Sequence, residues 1–83
     1  MMIFDSFPSP QQAADFARDI ESRFRLTSQA FLSQEESNKY DAFPFRLNPP
    51  IVLVERPNID DREHFEQLIE KSAQKFHGKF AGT

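Results

Sequence analysis

The run Ile51-Val52-Leu53-Val54 constrains this chain more than any other stretch. Side chains alternate between the two faces of a strand, and here both alternating sets, Ile51/Leu53 and Val52/Val54, are apolar. Pro50 and Pro57 bound the segment, as expected where a strand must stop, since proline cannot donate to a ladder. A strand of this kind has no face left for water. It belongs inside a sheet that is covered above and below, and the rest of the chain, or a second copy of it, has to provide the covers.

Eighty-three residues suit one small core, so residues 1–83 are expected to form a single domain. Ser9-Pro10-Gln11-Gln12 predicts a helix start: Ser9 caps, Pro10 suits the first helical position and Gln12 completes a capping box. Ala13, Phe16, Ala17, Ile20 and Phe24 then fall on one helical face, with Asp15, Arg18, Asp19 and Arg23 on the other. Asp60-Asp61-Arg62-Glu63 reads as a second capping box. It opens a helix over about 61 to 77 whose apolar stripe is Phe65, Leu68, Ile69, Ala73 and Phe76, with Gly78 as a left-handed stop. Lys71, Lys75, His77 and Lys79 gather at its carbonyl end, where they complement the helix dipole.

Two further strands are predicted, at residues 2–7 and, from the two-residue alternation, at Leu26 to Ser33. The connection from Glu35 to Pro50 is long, and the tail from Phe80 to Thr83 is expected to fray. The fold class is therefore α+β, in the order β-α-β-loop-β-α, with two amphipathic helices packed on one face of a three-stranded sheet. The first β-α-β unit is compatible with a parallel crossover, and the third strand can run either way. With ten phenylalanines against two valines, rings rather than β-branched aliphatics supply most of the buried area.

Several function classes are disfavoured. A net charge of −3 gives no general attraction for phosphate backbones or anionic lipids. The absence of cysteine removes thiol nucleophiles, thiolate metal sites and disulfides, and suits a reducing compartment. The opening Met1-Met2-Ile3-Phe4-Asp5 lacks the pattern of a secretory signal, and no apolar run approaches membrane-spanning length, so a soluble cytoplasmic protein is expected.

The segments FDSFPSPQQAADFA (residues 4–17) and YDAFPFRLNPPIVLVERP (residues 40–57) together resemble a small family of uncharacterised bacterial α/β proteins known from structural genomics, without an assigned function. The resemblance spans nearly the whole chain and rests on apolar and proline patterns. It implies a compact α/β domain and carries no catalytic residue or cofactor to these positions.

Asp60, Asp61, Glu63 and His64 form an acidic cluster with one histidine, but no HExxH, CxxC or calcium-loop spacing accompanies them, and a capped helix start accounts for them without a metal. Only His64 and His77 offer imidazoles for nucleophilic catalysis, and no GxSxG occurs. With Gly78 and Gly82 as the sole glycines, a phosphate-cradling loop is excluded. Glu35, Glu36 and Asp41 in the long connection read as a solvated edge. No catalytic residue, metal or cofactor is expected.

The segment Tyr40-Asp41-Ala42-Phe43-Pro44-Phe45-Arg46 combines aromatics, an arginine and a stiffening proline, the residue types of interface cores. Tyr40, Phe43, Phe45 and Arg46 are accordingly the expected partner-binding residues. Folding back of Phe43, Phe45 and Leu47 onto the sheet is the structural alternative. The functional expectation is a non-enzymatic protein-interaction or homodimerisation module, whose partner is itself or another protein. One rival is a small-molecule enzyme with a cleft beneath residues 35–50, using Tyr40, Asp41 or His64 in proton transfer. A second is a single-strand nucleic-acid binder that stacks bases on Phe43 and Phe45 and clamps them with Arg46, against the repulsion of Glu35, Glu36 and Asp41.

Overall fold

A computed structural model gives the architecture and describes residues 1–33, 49–58 and 60–82. Six elements follow one another: β1 (Met2–Asp5), α1 (Pro10–Phe24), β2 (Ser28–Phe31), β3 (Ile51–Val54), α2 (Arg62–Lys75) and β4 (Lys79–Gly82). The sheet has four strands in the order β2-β3-β1-β4, and every neighbouring pair is antiparallel. β1 and β2 thus run in the same direction with β3 inserted between them, and β3 and β4 run together with β1 inserted. Two split β-α-β units interlock, which is the ferredoxin-like arrangement. That topology fixes positions and leaves function open.

The expected three-stranded sheet is therefore corrected to four strands. The tail expected to fray pairs Phe80 with Phe4 and Lys79 with Asp5, with an irregularity between Ile3 and Phe4. The reason lies in β1, all four residues of which are buried; a strand shielded on both faces and flanked on both edges needs a neighbour beyond β3. The crossover between the first two strands is parallel but skips one place, and the third strand is antiparallel to both of its neighbours.

α1 forms as its sequence dictates. Ser9 is its N-cap, accepting from the Gln12 amide at 3.3 Å, with Pro10 in the first turn, and Arg25 closes it in the left-handed region at φ 55°. α2 departs from expectation at both ends. Its N-cap is Asp61, which makes no side-chain capping bond, so the second capping box does not form. After Lys75 the left-handed residue is His77 at φ 63°, not Gly78. Glycine is required at 78 for proximity instead: a Cβ there would overlap the Phe7 ring.

The helices run antiparallel on one face of the sheet, as the contacts Phe16–Phe76, Asp19–Ser72 and Phe24–Phe65 show. Beneath them Met2, Phe4, Val52 and Val54 meet Ala13, Phe16, Ile20, Ile69 and Ala73. Phe16 is the hub, with ring centroids 5.1 Å from Phe4, 5.4 Å from Phe7 and 6.2 Å from Phe76. Such ring pairs contribute about 0.5–1.5 kcal/mol each beyond their area, which is how a chain poor in valine fills its core. The opposite face carries Ile3, Phe31, Ile51 and Leu53, packed together with Ala81. None of these four is more than 7% exposed within the single chain. The tetrad at Ile51 is thus shielded on both sides, as its alternation requires, and a second copy is not needed to cover it.

Candidate functional site

The four residues expected to bind a partner, Tyr40, Phe43, Phe45 and Arg46, lie outside the described residues, as do Glu35, Glu36 and Asp41. The acidic helix start is described: Asp60, Asp61, Glu63 and His64 are all exposed, and the His64 ring stands 6.4 Å edge-on from Phe65. Among the described residues no group of three or more His, Asp or Glu side chains converges as metal donors, and no helix is long and apolar enough to cross a membrane.

The sheet's two outer strands differ in how they are finished. β2 is latched at its beginning. The Ser28 amide donates to Glu21 Oε1 at 3.3 Å, and the Ser28 hydroxyl lies 3.0 Å from both Glu21 Oε1 and the Ala17 carbonyl. The Thr27 amide donates to Glu55 Oε2 at 3.2 Å. The Glu21 carboxylate thereby occupies a main-chain donor that an incoming strand would otherwise seek, whereas the Thr27 amide faces β3, whose Glu55 amide donates to the Thr27 carbonyl at 2.9 Å.

Among the described residues β4 has no such latch. Among the described residues it pairs with β1 alone, and its residues are exposed or half-buried. Phe80 is the critical side chain. Its ring centroid lies 5.5 Å from that of Phe4, yet 43% of the residue remains exposed, an unusual placement for phenylalanine on a strand whose outer edge is unpaired among the described residues. Beside it, α2 contributes Glu70 and Gln74 to a groove of about 300 Å³ completed by Gly78, Lys79 and Phe80. An edge strand bordered by a helix-lined groove is the geometry used in strand addition: main-chain bonds supply affinity and the groove receives alternate side chains. The sequence reading missed this site because a lone aromatic between Lys79 and Ala81 carries no strand periodicity.

A second concavity, about 360 Å³, lies between the helices and is lined by Arg23 and Phe24 of α1 and by Leu68, Lys71, Ser72 and Lys75 of α2. Its frame is a buried polar contact also absent from the sequence reading. The Ser72 hydroxyl, in a residue only 1% exposed, donates to Asp19 Oδ2 at 2.6 Å, and Arg23 Nη2 donates to the same oxygen at 2.8 Å. Partial burial raises the Asp19 pKa, but the bonds from Ser72 and Arg23 and the charges of Arg23 and Lys75 outweigh it, so the carboxyl titrates below its ordinary range. A carboxylate so held is an anchor rather than a proton acceptor.

No family model, curated protein or solved structure matches this chain.

Proposed function

We propose that the chain is a non-enzymatic protein-interaction module that self-associates by pairing the outer edge of β4 with that of a second copy. The observation that carries this reading is the half-exposed Phe80 on a strand whose outer edge is unpaired among the described residues. Opposed residues in an antiparallel pair share a face, so placing the two Phe80 rings across a two-fold axis keeps both helix layers on the same side. Lys79 then stands opposite Ala81 of the second copy, and no like charges meet. The Phe16–Phe4–Phe80 ring series would continue through the axis into the second copy.

Lysine is a residue that blunts sheet edges, and a single one opposite alanine leaves this edge usable. Four residues of edge make a small interface, so dissociation on the order of micromolar or weaker is expected. Sedimentation equilibrium at several concentrations tests the reading. Mass should rise from 9.7 kDa toward twice that value with concentration, and Phe80→Glu should hold the protein monomeric with an unchanged circular dichroism spectrum. A protein that stays monomeric at several hundred micromolar, or a Phe80→Glu variant that still dimerises, overturns the proposal.

A further inference from the structure

The groove between the helices concentrates positive charge on a chain that is negative as a whole. Arg23, Lys71 and Lys75 line it, and Arg23 and Lys75 act on the Asp19 carboxylate beside it, while the full sequence carries −3. The two lysines are exposed and lie one helical turn apart on α2, and neither makes an ion pair among the described residues. Arg23 is different. Its guanidinium is held by Asp19 and lies 5.2 Å from the centre of the Phe24 ring.

Complementing a helix dipole does not by itself account for the cluster. Each dipole accounts for the basic residue in its own last turn, Arg23 in α1 and Lys75 in α2, but not for the meeting of both with Lys71 at one groove. What remains is the field of the three cations against the single anion. Between these charges the groove is lined by Phe24 and Leu68, and the Ser72 hydroxyl, its proton committed to Asp19, can act only as an acceptor.

We infer that the inter-helix groove binds a small amphipathic anion, with a carboxylate or phosphate head between Arg23, Lys71 and Lys75 and an apolar body over Phe24 and Leu68. A volume of about 360 Å³ admits a ligand of medium-chain size. Lysine ammonium groups suit a head of either type, since they act as point charges without demanding a planar partner. Ser72 and Asp19 are positioning residues: they hold Arg23 and keep the seam closed beneath the ligand. The site is separate from the β4 edge and does not depend on self-association.

Octanoate and octyl phosphate are the probes, with octanol and octylamine as tail-matched controls, read by amide chemical-shift perturbation on the full chain. Both anions should shift resonances along the second half of α1 and along α2 from Leu68 to Lys75, and the controls should not. The double variant Lys71→Gln/Lys75→Gln changes two exposed side chains and should fold normally. It should weaken octanoate binding by about five- to tenfold, and raising salt should weaken the wild-type complex in the same direction. Comparing the two anions shows which head the site takes. Equal shifts from octanol, shifts confined to another surface, or an unchanged affinity in the double variant would each overturn the proposal.

Discussion

The centre of the sheet and its margins are built on opposite principles. β1 and β3 are buried at every position and present rings and branched aliphatics to both faces, whereas β2 and β4 alternate or stay exposed and are finished by polar groups or not finished at all. The centre is stabilised by area and packing, which tolerate no vacancy. The margins are governed by individual hydrogen bonds, each small, which decide what else the sheet can meet. Stability should therefore reside in the middle and association at the rim.

The largest expected effect tests the first half of that contrast. Phe4 is fully buried, pairs with Val52 on one side and Phe80 on the other, and packs edge-on against Phe16 at 5.1 Å. Phe4→Ala removes a ring from a site walled by two strands and α1, where collapse is limited. It should cost about 3–5 kcal/mol in urea unfolding, a large fraction of the roughly 4–12 kcal/mol expected for a domain of this length. A loss below about 1 kcal/mol would mean that the centre is not where the stability lies.

How much of this was legible in the sequence follows the same division. β3 was readable to the residue because prolines flank four apolar side chains, and α1 because Ser9 and Pro10 announce its start. The margins were not. The alternation from Leu26 to Ser33 outruns the pairing, since β3 offers only four partners, and β1 ends at Asp5 because Ser6 takes a left-handed φ of 62°. β4 was invisible: Lys79–Gly82 has one large apolar residue, and its strand state is imposed by the unsatisfied edge of β1 rather than by its own composition. Of the candidate sites, Lys71 and Lys75 were visible as charges at a helix end, but only the antiparallel helix packing brings Arg23 to face them. Ser72 breaks an apolar stripe in the sequence, and its reason is the Asp19 carboxylate on the other helix.

A smaller effect is expected at the latched margin. Ser28→Ala removes the hydroxyl shared between Glu21 and the Ala17 carbonyl and should cost about 1 kcal/mol. The Ser28 amide keeps its bond to Glu21, so hydrogen exchange at that amide should accelerate through local opening by more than exchange in β1, which follows only the global loss of stability. Equal acceleration in both strands would erase the distinction between margin and centre.

The smallest effect concerns the seam between the helices, a polar margin of another kind, and its sign follows from Asp19. The folded-state pKa of this carboxyl is depressed, so the unfolded chain takes up its proton first as the pH falls. Its contribution to stability is fully present above the unfolded value near 4 and is lost as the pH drops through the lower folded value. Asp19→Asn keeps the shape but removes the charge that Ser72 and Arg23 hold. The stability difference between wild type and variant should therefore stay constant from pH 7 to about 4 and shrink below that, as followed by urea melts across the acid range. Arg23, no longer held by a charge, should also lose its fixed position over Phe24. A difference that persists undiminished in acid would show that the seam depends on the shape of the side chain at 19 and not on its ionisation, and would place it with the packed centre rather than with the polar rim.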